Sequence, residues 1–107
     1  MNAYQRISCE DAKQRFFDQS TDVIIVDIRD EGAFAAAHII DAMTLSNANL
    51  SAFINDADGD IPLLVYCYHG NSSKNAAEYL ATQGFREVYS LNGGFSQWSV
   101  TFPAQCS

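Results

Sequence analysis

Pro62-Leu63-Leu64-Val65-Tyr66-Cys67-Tyr68-His69-Gly70-Asn71-Ser72-Ser73 passes from an apolar run to a polar, glycine-containing one with a single cysteine at the joint. The apolar half is short, continuous and bounded by turn residues, the pattern of a strand buried on both faces of a parallel sheet. Pro62 stands at its start, where a missing amide matters least. Gly70-Asn71-Ser72 ends the strand pattern. From about Ser72 toward Gly84, a suitable left-handed cap, the residues Ala76, Ala77, Leu80 and Ala81 recur at helical spacing, with Tyr79 at the edge of the stripe. The segment therefore reads as strand, loop, helix.

The same alternation continues on both sides. Upstream, Ser8 followed by Cys9-Glu10-Asp11 is a helix start, and Ala12, Phe16 and Phe17 give an apolar face to a helix ending near Gln19. Val23-Ile24-Ile25-Val26 is another buried strand, ending at Asp27-Ile28-Arg29-Asp30. A short helix over 30–37, a short strand over 42–45 and a helix over 47–55 precede the polar turn at 56–60. Downstream, Glu87-Val88-Tyr89-Ser90 is a third short strand, and Asn92-Gly93-Gly94 turns the chain into a last helix carrying Phe95 and Trp98. Strands alternating with helices predict an α/β fold, a small and mostly parallel sheet flanked by helices, within a single domain over residues 1–107.

Composition narrows the functions open to such a domain. Hydrophobic residues make up 48% and charged residues 18%, so the chain has the apolar content to build a core. Thirteen acidic against six basic residues give a formal charge of −7, which repels phosphates and argues against a nucleic-acid partner. The longest apolar runs are far shorter than a membrane span, and the first residues lack a basic region followed by an apolar stretch, so neither insertion nor export is expected. Cys9, Cys67 and Cys106 are odd in number and widely spaced, which suits a reducing, cytoplasmic setting. His38 and His69 are too few and too far apart in sequence to suggest a zinc site with them, and no metal or organic cofactor is expected.

Cys67 occupies the chemically distinctive position. The carboxyl end of a parallel strand opens on the crevice where α/β folds bind ligands, and the free amides of the following turn and first helical residues point there. Such amides cradle anions and favour a thiolate over a thiol. A free cysteine at a strand end is ordinarily a small buried hydrophobe. The polar run after Cys67 is what a nucleophile with an anionic substrate requires and a filler does not. Cys9, at the start of an amphipathic helix, reads as packing, and Cys106 as exposed.

Val26-Asp27-Ile28-Arg29, Phe34, His38, the run Cys67-Tyr68-His69-Gly70-Asn71-Ser72-Ser73, and Asn92-Gly93-Gly94-Phe95 with Trp98 together resemble the rhodanese family, most closely its single-domain thiosulfate sulfurtransferases of the GlpE type. The likeness runs from Ile7 to about Pro103, with the active-site loop its most specific part. Ala37 and Asp41 flank His38 where that family often has glycine, which makes the turn there a place to examine. The resemblance implies a rhodanese-like domain and a two-step exchange. The Cys67 thiolate takes the outer sulfur of thiosulfate, releases sulfite and becomes a persulfide, and a thiophilic acceptor then removes the sulfur. Cyanide in vitro, or a dithiol such as thioredoxin, is the acceptor implied. Tyr68, His69, Gly70, Asn71, Ser72 and Ser73 form the substrate-binding loop.

The surrounding residues divide by role. Asp27 and Arg29, at a buried strand end, read as a structural ion pair, His38 as a structural histidine, and Phe95 and Trp98 as core. His69 can donate to the substrate or lower the thiol pKa when protonated, and can equally face solvent. Ser72 and Ser73 can orient the sulfur and also cap the helix. Lys74 is the nearest basic residue in sequence, the loop itself having none. A cysteine-dependent phosphatase would need arginine six positions after the cysteine, and Ser73 stands there. A module that carries persulfide to a partner protein without turning over free thiosulfate is the other alternative.

Overall fold

The computed structural model describes residues 3–107. Five parallel strands, β1 (Gln5–Ile7), β2 (Ile24–Asp27), β3 (Met43–Thr44), β4 (Leu63–Tyr66) and β5 (Val88–Leu91), form one sheet in the order β1-β5-β4-β2-β3. Five α-helices connect and cover them: α1 (Cys9–Lys13), α2 (Glu31–Ala36), α3 (Leu50–Asp56), α4 (Ser72–Ala81) and α5 (Gly94–Thr101). The fold is the expected α/β class with a parallel sheet.

Period-two alternation splits the strands between two cores. Ile25, Leu64, Tyr66, Tyr89 and Leu91 point to one face, where they meet Cys9, Ala12, Phe16 and Trp98 of the α1 and α5 side. Val26, Leu63, Val65 and Val88 point to the other, against Phe53 of α3 and Ala77, Leu80 and Ala81 of α4. Strands buried on both faces read as continuous apolar runs, which is why β2 and β4 are visible in the sequence.

Chain order reverses between β2 and β4. The connection leaving β2 goes outward to the edge strand β3, whereas the one leaving β4 goes the other way, to β5. The carboxyl ends of β2 and β4 therefore diverge into the crevice that such sheets use for ligands.

Four features differ from the sequence reading. β1 was not foreseen: Gln5 and Arg6 are exposed, only Ile7 turns into the core, and the strand exists because it pairs with β5. The helix expected to run to Gln19 is α-helical only to Lys13 and continues as a π-turn over Gln14–Asp18, closed by the Gln19 amide donating to the Gln14 carbonyl at 2.9 Å. That widening lets Phe16 stay buried while Phe17 packs on Trp98, ring centroids 5.5 Å apart. Cys106 is half-buried rather than exposed, because the chain end bridges to Ile39 and packs against the Trp98 core. The fourth difference is small: α3 begins at Leu50, after a turn in which the Asn49 side chain accepts from the Ser46 amide and donates to the Thr44 carbonyl.

The turn at His38 is solved without glycine. Ala37 is extended, and Asp41 takes φ +67°, a left-handed conformation that Asp tolerates better than most residues. His38 stacks on Phe34, ring centroids 3.9 Å apart, and its Nδ1 pairs with the Phe34 carbonyl at 2.8 Å, consistent with a structural role.

Candidate active site

Cys67 lies one residue beyond β4 and is buried. The chain then bends back so that the Gly70 amide donates to its Sγ at 3.2 Å and the Ser73 amide at 3.3 Å. Ser73 is in the first turn of α4, whose N-cap residue, Asn71, makes no side-chain cap. The cysteine sulfur thus takes a helix donor that a capping side chain would otherwise satisfy. Gly70 holds φ +93°, and a Cβ there would come within 3.0 Å of the Gly93 amide nitrogen and 3.1 Å of the Leu91 carbonyl oxygen. Glycine is needed for both the conformation and the space.

The loop's own carbonyls are held by α5. The Phe95 amide donates to the Cys67 carbonyl at 2.8 Å, and the Ser96 amide to the Tyr68 carbonyl at 2.9 Å. Gly94 permits this approach: a Cβ on it would lie 2.5 Å from the Cys67 oxygen and 2.6 Å from the Tyr68 carbonyl. Two helix N-termini therefore act on one loop, α5 on its carbonyl oxygens and α4 on the sulfur.

Burial by itself pushes the Cys67 thiol up, but hydrogen bonding by Ser73, Gly70 and His69 outweighs it and holds the thiol below its ordinary value. Cys9 shows the reverse. It is fully buried, its thiol donates to the Asn92 carbonyl at 3.5 Å, and desolvation with the charge of Glu10 pushes it up to about 11. It is packing, as its helix position predicted.

The end of β2 forms the neighbouring wall. Asp27 is fully buried and accepts from the Arg29 amide at 2.8 Å and from the guanidinium at 2.7 to 3.1 Å, while Arg29 also donates to the Ala37 carbonyl at 2.6 Å. The guanidinium lies 4.2 Å from the Phe95 ring centroid and 5.5 Å from that of Tyr68. The Tyr68 hydroxyl donates to Asp30 Oδ2 at 2.7 Å, and Asp30 Oδ1 caps α2 by accepting from the Ala33 amide at 2.8 Å. Asp27 and Arg29 thus brace the loop from the side, a structural ion pair as read from the sequence.

Of the expected loop residues, Gly70 and Ser73 touch the sulfur, and His69 contributes through its amide while its side chain is exposed. Tyr68, Asn71 and Ser72 are exposed as well. Neither serine caps α4, and the Ser73 hydroxyl turns inward to Ser90 at 2.8 Å. Sequence reasoning assigned no role to Ser90 or Asp30 and saw Gly94-Phe95 only as a signature. The Gly-Gly pair at 93–94 was the available signal, since consecutive glycines before a helix mark a close backbone approach. Among the described residues no cluster of His, Cys, Asp and Glu is arranged to hold a metal, and no helix is long and apolar enough to cross a membrane.

Comparison with known proteins gives a consistent result. Residues 8–101 match the model of the rhodanese-like domain. The thiosulfate sulfurtransferase GlpE of Ectopseudomonas mendocina is 50% identical over 105 residues, covering 98% of this chain and 94% of the relative. That of Pseudomonas fluorescens is 49% identical over 107 residues, covering 100% and 95%. In shape, the chain is similar to the rhodanese-like domain of an Anabaena protein, with a TM-score of 0.81 at 22% identity over 91% of this chain and 74% of that one.

Proposed function

The chain belongs to the rhodanese family, and we propose that it is a thiosulfate sulfurtransferase in which Cys67 is the nucleophile and carries the transferred sulfur as a persulfide. The observation that carries the assignment of Cys67 is the convergence of the Gly70 and Ser73 amides on its sulfur, with the thiol held below its ordinary value. Its thiolate attacks the outer sulfur of thiosulfate. A Cys67–sulfur bond forms as the sulfur–sulfur bond of thiosulfate breaks, and the electron pair leaves with sulfite. The amides that held the thiolate stabilise the anionic persulfide that replaces it.

In the second step a thiophile attacks the outer sulfur and regenerates the thiolate. Cyanide would leave as thiocyanate; a dithiol such as thioredoxin would take the sulfur as a persulfide of its own. The loop offers no Arg or Lys, so recognition of the dianion rests mostly on backbone dipoles from Tyr68 to Ser73. The phosphatase alternative lacks its arginine, because the position holds Ser73, whose hydroxyl is engaged with Ser90. A cytoplasmic setting, where thiols stay reduced, suits three free cysteines.

The test is intact-mass and peptide analysis after thiosulfate treatment, with sulfite measured in parallel. One added sulfur on the Cys67 peptide, removed by cyanide, and loss of transfer in Cys67→Ser but not in Cys9→Ser or Cys106→Ser, are the expected results. Sulfur found only on Cys9 or Cys106 refutes the assignment. Sulfur delivered by a protein partner, with no sulfite released from thiosulfate, would indicate a carrier instead.

A further inference from the structure

Ser90 breaks a pattern. The neighbouring strand residues on its side of the sheet, Val26, Leu63, Val65 and Val88, are aliphatic and buried against α3 and α4, yet Ser90 places a hydroxyl on that face at 1% exposure. A hydroxyl so placed costs stability unless it is paired. Its partner is the Ser73 hydroxyl, 2.8 Å away and itself fully buried. Ser73 is also a residue whose amide donates to the Cys67 sulfur, at 3.3 Å.

A serine hydroxyl has one proton to donate and two lone pairs with which to accept. Whichever of the two donates, the 2.8 Å contact ties the first turn of α4 to β5. A buried polar pair that is fully satisfied makes its surroundings rigid, and here the rigid element carries the amide that reaches sulfur.

We propose that Ser90 is a positioning residue for sulfur transfer: its hydroxyl, reaching from β5, holds Ser73 in place so that the Ser73 amide stays directed at the anionic sulfur of Cys67. The proposal rests on Cys67 being the nucleophile. It places part of the thiolate's stabilisation in the sheet, beneath the loop, where no substrate contact is needed.

The experiment is a double-mutant cycle of Ser90→Ala and Ser73→Ala, read by the rate of iodoacetamide labelling of Cys67 against pH and by thiosulfate to cyanide transfer. Peptide mass identifies the labelled cysteine, and thermal unfolding confirms that each variant is folded. Ser90→Ala is expected to slow Cys67 labelling near neutral pH by about three- to tenfold, the range for one hydrogen bond, and to move the labelling profile to higher pH. In the Ser73→Ala background the same change is expected to alter the rate by less than about twofold, because its path to the sulfur is gone. Ser90→Thr, which keeps the hydroxyl, should restore the profile. Equal effects of Ser90→Ala in both backgrounds, or an unmoved pH profile, overturn the positioning role and leave Ser90 as packing. Labelling and sulfur gain confined to Cys9 or Cys106 would overturn that role together with the Cys67 assignment.

Discussion

Replacing Gly94 by alanine sets a methyl group 2.5 Å from the Cys67 carbonyl oxygen and 2.6 Å from the carbonyl carbon and oxygen of Tyr68. All three are backbone atoms, so no side chain can swing aside. The loop and α5 must separate by about 0.5 Å before the nearest contact reaches even 3.0 Å, the closest that Cβ atoms tolerate. That movement works against the bonds from the Phe95 and Ser96 amides, and it shifts the loop whose amides reach Sγ at 3.2 and 3.3 Å. Alanine at the φ of +58° adds about 1 kcal/mol of backbone strain. With overpacking of about 1 to 3 kcal/mol the stability loss is about 2 to 4 kcal/mol. Weakening hydrogen bonds to a charged sulfur costs a further 1.5 to 3 kcal/mol, roughly ten- to a hundredfold in the rate of sulfur transfer at neutral pH. The assay is thiocyanate formation from thiosulfate and cyanide by Gly94→Ala, measured below its unfolding temperature. Gly84→Ala is the control, since Gly84 has φ +97° but nothing within 4 Å of its virtual Cβ. It should lose about 1 to 2 kcal/mol of stability and keep its activity. Folded Gly94→Ala with near wild-type turnover would refute the argument that α5 sets the cradle.

The depressed Cys67 thiol and the elevated Cys9 thiol should separate in pH. Cys67 should label with iodoacetamide at lower pH than an ordinary thiol, whereas Cys9 should stay unreactive in the folded protein until pH approaches about 11. A folded-state pKa below the unfolded one means that the Cys67 thiolate contributes stability fully above the unfolded thiol's pKa and loses it as pH falls through the folded value. Denaturant unfolding of wild type and Cys67→Ala should therefore show a difference that changes in wild type's favour as pH rises through that window. An unchanged difference would contradict it. Separately, His69→Lys adds a permanent cation on an exposed side chain of a loop without Arg or Lys, in a chain of formal charge −7. It should lower KM for thiosulfate several-fold at low salt, worth about 1 kcal/mol, with the gain shrinking as salt is added. A folded variant with unchanged KM at every ionic strength would show that missing charge does not limit binding.

The parts legible along the chain are those whose signals are local. β2 and β4 are legible because strands buried on both faces must be apolar throughout, and α4 because one stripe of alanine and leucine faces the sheet. Cys67 is legible because the polar run after it has no packing use. Asp27 and Arg29 are legible as a pair because charges at a buried strand end need one another. Tertiary structure decided the rest. β1 has one inward side chain, Ile7, and gains its identity from β5, more than eighty positions away along the chain. Cys106 is covered only because the chain end returns to Ile39. Gly94 and Ser90 look like a turn residue and an ordinary strand residue until the α5 N-terminus closes on the Cys67 carbonyl and β5 sets its hydroxyl against Ser73. The type and place of the proposed nucleophile follow from residues adjacent in the chain. Its electrostatic environment is made by groups that only the parallel crossovers bring together, and hydrogen bonds between distant segments leave no periodicity in a sequence to be read.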